Sequence, residues 1–148
     1  MNTVLLRSVF LVMIFWQPAL SALHDSNAYV TVSVALSDSL VRPGDTTFVI
    51  IRFIPAGGIF LNADPPPVIL LHPSSWYLSD SALALPLDSH TGYLNSAQPL
   101  EKAVRIAKNG QKGQYSLTGT LRYYYCSDEE GWCTRSAVEF ELPLTIVQ

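Results

Sequence analysis

Charge is scarce in this chain. Only 14% of its 148 residues are Asp, Glu, Lys or Arg, and the nine basic residues never gather into a cluster. Nucleic-acid binding therefore lacks its electrostatic footprint, and the net charge of −3 comes from scattered acids. Histidine is equally sparse. His72 and His90 lie far apart in sequence and His24 sits near the start, so with only two cysteines in the chain no zinc-type ligand set assembles. No Gly-x-Ser-x-Gly elbow occurs, which removes the usual sequence support for a hydrolase. Long apolar runs are missing after the N-terminus, so no later segment reads as a membrane span. The sequence implies no metal and no organic cofactor.

What is present is hydrophobic: 49% of the residues, enough for one ordered core in a chain of this length. The first 22 residues read as a signal peptide. Arg7 supplies positive charge, residues 9–16 are continuously apolar, and Gln17-Pro18 breaks the run. Ala19-Leu20-Ser21-Ala22 then offers small residues for cleavage after Ser21 or Ala22. The apolar run is shorter than the roughly 20 residues a membrane span requires. Residues 23–148 are thus expected to be exported to a periplasmic or secreted location, without membrane insertion after cleavage. In that oxidising setting, an even pair of cysteines is expected to be disulfide-bonded.

Past a polar opening at residues 24–27, the pattern is of strands and turns. Residues 29–36 alternate and are rich in β-branched side chains, and Arg42-Pro43-Gly44-Asp45 has turn chemistry. Residues 46–54 are apolar on both faces, as in a central strand. Short strands are expected at 59–61 and 68–71. Residues 72–99 are irregular, and 100–107 reads as strand or short helix, with Val104 and Ile106 favouring strand. Residues 114–125 alternate over their whole length and 134–147 match them, with 127–132 as the connection. No long amphipathic helix is found. The expected class is all-β, a sandwich of antiparallel strands.

Side-chain parity puts Cys126 with Arg122 and Tyr124, and Cys133 with Arg135, Glu139 and Glu141. If pairing persists to the hairpin mouth without a bulge, both sulfurs leave the same polar face, where a bond between them is accessible. Such a bond closes a short ring worth only about 2.5 kcal/mol in the chain-entropy model. A structural staple and a redox-active pair both fit that value. Asp128, Glu129 and Glu130 raise the thiol pKa values, whereas Arg135 opposes them near Cys133, which makes Cys133 the better nucleophile. Tyr124 and Trp132 are candidates for shielding the pair or for a docking surface.

Gly119-Thr120-Leu121-Arg122-Tyr123-Tyr124-Tyr125-Cys126 followed by Gly131-Trp132-Cys133 resembles the cysteine hairpin of the N-terminal periplasmic domain of the thiol:disulfide interchange protein DsbD. Phe60-Leu61-Asn62-Ala63-Asp64-Pro65-Pro66 is similar to an H-x-N-x-x-x-P-like segment of stand-alone and thioredoxin-linked relatives. The resemblance implies an immunoglobulin-like sandwich whose cysteine pair exchanges disulfides with periplasmic or membrane-embedded thiol proteins. It makes Cys126 and Cys133 the exchanging pair, with Cys133 attacking, and Ser89-His90-Thr91-Gly92-Tyr93 a cap loop carrying Tyr93 as shield. This chain departs in a longer, more acidic loop between the cysteines, and in Thr134-Arg135-Ser136 where that family has prolines. The electron conduit and thioredoxin-like domain of that family have no counterpart here and are expected in separate proteins. The reading from another class is a non-catalytic immunoglobulin-like binding or accessory domain with a structural disulfide.

Overall fold

The computed structural model describes residues 23–79 and 83–148, so the signal-peptide reading of residues 1–22 lies outside the described residues. No helix occurs among the described residues. The strands are β1 (Leu23–Ser26), β2 (Val30–Leu36), β3 (Leu40–Val41), β4 (Thr46–Pro55) and β5 (Ile59–Leu61), followed by β6 (Val68–Leu71), β7 (Tyr77–Leu78), β8 (Leu100–Ile106), β9 (Gly113–Ser127) and β10 (Trp132–Ile146). One sheet has the order β1-β2-β4-β8-β7; the other has the order β3-β10-β9-β5, with β6 also paired to β9.

Alternation builds the core between the sheets. Val30, Val32 and Val34 of β2 and Val49, Ile51 and Phe53 of β4 turn inward from the first sheet. Leu117, Leu121, Tyr123 and Tyr125 of β9 meet them with Val138, Phe140 and Leu142 of β10. Each such aliphatic or aromatic side chain contributes about 1.5–3 kcal/mol by leaving water. As expected, β4 is central, between β2 and β8, but only one of its two apolar faces is buried: Phe48 and Ile54 on the other are exposed.

Several expectations are corrected. Residues 23–26 form an edge strand paired antiparallel to β2, where a polar opening was expected. Residues 72–99 contain the short strand β7 and an isolated bridge between Leu87 and Leu94. Pairing is not wholly antiparallel, since β3 runs parallel to the end of β10. Backbone pairing explains each case: an edge strand needs hydrogen-bonding partners on one side only, and no apolar period marks it.

The β9–β10 hairpin positions the site. Its register runs without interruption from Gly113 opposite Ile146 to Ser127 opposite Trp132. No bulge intervenes, so side-chain parity carries from the core to the tip. Residues 128–131 close the turn, with the Gly131 N–H donating to the Ser127 carbonyl at 2.9 Å and Gly131 at φ 71°. A positive φ there favours glycine. The connection is shorter than expected because both strands extend to its edges.

Candidate functional site

Cys126 and Cys133 stand directly opposite each other, with Cα atoms 4.0 Å apart, and are joined by a disulfide. Both leave the outer face of their sheet, away from the inward rows of β9 and β10. Their surroundings nevertheless differ. At this level β9 is flanked on both sides, by β10 and by β5, whose Phe60 is paired with Cys126. By contrast, β10 has β9 on one side, while β3 reaches only Thr145 and Ile146. Cys126 is therefore buried, with 4% of its surface exposed, whereas Cys133 is exposed. Sequence parity gave the shared face; the expectation that both sulfurs are accessible is corrected by the neighbouring strand.

The outer face around Cys126 is aromatic and held from two directions. Residues 87–94 form a small loop hung on the free edge of β5 through the Leu94 N–H, which donates to the Leu61 carbonyl at 2.9 Å. Within it, Asp88 accepts from the backbone N–H groups of His90 and Thr91, and Gly92 sits at φ 74°. The next residue, Tyr93, stacks on Phe60 with ring centroids 5.1 Å apart and planes 17° from parallel. Its hydroxyl donates to the Asp128 carboxylate at 2.8 Å, and this hydrogen bond pushes the Tyr93 phenol above its ordinary value. The loop is thus tied to β5 at one end and to the hairpin tip at the other.

Asn62 follows β5 and completes this side. Its N–H donates to the Tyr124 carbonyl at 2.9 Å, and its Oδ1 lies 3.0 Å from Cys126 Sγ. Tyr124 is half-buried on the outer face, opposite Arg135. Trp132 is placed elsewhere. It pairs with Ser127, one position from the cysteines, so its ring goes to the inner face of the hairpin. There it packs edge-on against Tyr29 and Tyr125, and its indole N–H donates to Glu130. Of the residues singled out by sequence, Tyr93 and Tyr124 lie on the face of the disulfide and Trp132 does not. Phe60, Asn62 and Asp128 complete the site. Phe60 and Asn62 owe their places to the pairing of β5 with β9, and Asp128 its role to the hydrogen bond from Tyr93, contacts across long sequence separations for which no local pattern exists.

Chemically, the arrangement presents a disulfide with one open and one covered sulfur. A thiolate approaching from solvent meets Cys133, and the leaving sulfur is Cys126. Asp128, Glu129 and Glu130 at the tip are exposed and give this approach an acidic rim.

No protein-family model matches the sequence, and no curated protein matches it. Among solved structures, the GAE domain of GGA2p from Saccharomyces cerevisiae is similar, with a TM-score of 0.52 and 13% identity over 83% of this chain and 98% of that domain. The yeast GGA1 GAE domain aligns with a TM-score of 0.41 and 8% identity, over 82% and 98%. The first likeness is one of fold: this chain is an immunoglobulin-like β-sandwich.

Proposed function

We propose that this chain is an exported thiol–disulfide exchange module, working in the periplasm or an equivalent oxidising compartment on thiol proteins of that compartment or its membrane. The observation that carries the reading is the asymmetry of the Cys126–Cys133 bond, with Cys133 exposed and Cys126 buried between β10 and β5, where Phe60 is its partner. The resemblance of the cysteine hairpin to the N-terminal domain of DsbD supports the same reading. In the accepting direction, a partner thiolate attacks Cys133 Sγ and the bond to Cys126 breaks with its electron pair on Cys126, which takes up a proton. The second partner thiol then displaces Cys133. The partner leaves oxidised and the pair leaves reduced, with two electrons and two protons transferred. Run in reverse, Cys133 attacks a partner disulfide and Cys126 resolves the mixed disulfide. Tyr93 and Phe60 act in this scheme as the cover that limits attack to the open sulfur.

Equilibration of the protein in glutathione or dithiothreitol buffers tests the proposal. A reduction potential above about −300 mV is expected, and one well below that value identifies an inert structural bond. Cys126→Ser, which leaves Cys133 alone, is expected to form a mixed disulfide with oxidised glutathione faster than Cys133→Ser. Equal rates count against a directional pair. The three acids beside the pair favour the second reading, an accessory domain with a structural disulfide, because they disfavour thiolate formation.

A further inference from the structure

Asn62 is held by the backbone rather than by its own side chain. Its N–H bond to the Tyr124 carbonyl extends the β5–β9 ladder by one position beyond Leu61. Asn62 is thereby fixed opposite Tyr124, diagonal to Cys126, and residues so related share a face of a sheet. Its side chain is half-buried, and the 3.0 Å separation of Oδ1 from Cys126 Sγ is within reach of a hydrogen bond to sulfur. The disulfide sulfur has no proton, so no hydrogen bond exists there in the oxidised protein. Reduction places a thiol at the same point, with a carbonyl acceptor already in position. Cys133, across the hairpin, faces solvent.

We propose that Asn62 is a positioning residue that makes the two thiols unequal: its amide oxygen keeps reduced Cys126 protonated and leaves Cys133 as the thiol that ionises first. This deepens the exchange reading and rests on it. Hydrogen bonding to the neutral form raises a thiol's pKa, and burial acts in the same direction on Cys126. When a partner thiolate opens the disulfide at Cys133, the electron pair goes to Cys126 Sγ, which takes a proton from water and donates it in a hydrogen bond to Asn62 Oδ1. The bond stabilises the reduced pair, and the worth of such a bond corresponds to about a two- to tenfold change in the equilibrium constant.

The test uses the reduced protein, with residue-resolved alkylation followed across pH to give each thiol's pKa, and dithiothreitol buffers to give the redox equilibrium. Cys133 is expected to ionise at lower pH than Cys126. Asn62→Ala is expected to lower the Cys126 pKa, leave that of Cys133 nearly unchanged and reduce the equilibrium constant for reduction about two- to tenfold. Asn62→Asp, which puts a negative charge at the same distance, is expected to raise the Cys126 pKa above that of the parent. If one variant does not fold, the other still gives the sign. A rise in Asn62→Ala, an unchanged Cys126 pKa in either variant, or a reduced parent protein that unfolds would overturn the proposal. The potential of the parent protein judges the exchange reading separately. A structural potential with the predicted pKa order sinks only that reading, and a redox-competent potential with unmoved pKa values sinks only the role of Asn62.

Discussion

The carboxylate of Asp88 accepts from the His90 N–H at 2.8 Å and from the Thr91 N–H at 3.0 Å. These bonds, that from His90 first, hold the Asp88 carboxyl below its ordinary value of 3.8. For an acid whose pKa is lowered by folding, the interaction is present above the ordinary value and is lost as pH falls through the lowered one. The Tyr93 phenol is the opposite case. Its pKa is raised, chiefly by the hydrogen bond to Asp128, so that contact is present below the ordinary value of 10.0 and is lost as pH rises through the raised one. At neutral pH both hold the loop over Phe60. The amide proton shifts of His90 and Thr91 are expected to titrate together with a midpoint below 3.8. Asp88→Ala should abolish that titration and the hydrogen-exchange protection of both amides. Independent titration of the two amides, or a midpoint at or above the ordinary value, would remove Asp88 as the organiser of the loop.

Among the elements, the β9–β10 hairpin was the most legible in sequence, and Gly119 within it shows where legibility ended. Alternation over more than ten residues is a local signal, and it gave both strands and the shared face of Cys126 and Cys133. It could not reveal that β6 pairs alongside β9 at Gly119, with Leu71 opposite the glycine. A Cβ there would stand 2.7 Å from the Leu70 carbonyl oxygen and 2.7 Å from the Phe140 ring. Glycine is needed at this position for close approach, not for its dihedral angles. Gly119→Val is therefore expected to destabilise the domain by about 1–3 kcal/mol in urea titration. Loss of exchange protection should be concentrated at Leu70 and Leu71, and a neutral substitution would contradict the close packing. The same limit hid β1, β3 and β7. Each is short, and pairing rather than composition makes it a strand. In β8 the inward row of Leu100, Lys102, Val104 and Ile106 includes a buried lysine, which explains why its sequence left strand and helix both open.

For the molecule as a whole, the question is how far the sandwich depends on its disulfide. The fold class was legible because it follows from many local patterns that agree. The asymmetry of the site was not, because it arises from the pairing of β5 with only one strand of the hairpin. The ring closed by Cys126 and Cys133 is short, and its chain-entropy contribution is about 2.5 kcal/mol. That is no more than the burial of one or two core side chains such as Leu117 or Leu121, about 1.5–3 kcal/mol each. The pair also lies on the outer face of its sheet, opposite to the inward rows of an unbroken ladder. Reduction should therefore leave a cooperative two-state domain with an unchanged urea m-value and a stability lower by at most about 2.5 kcal/mol. Exchange protection should fall only near residues 126–133. An exchange module needs this property, because it must remain folded in both redox states to meet successive partners. Unfolding on reduction would instead make the bond a requirement of the fold, and would leave the accessory-domain reading in its place.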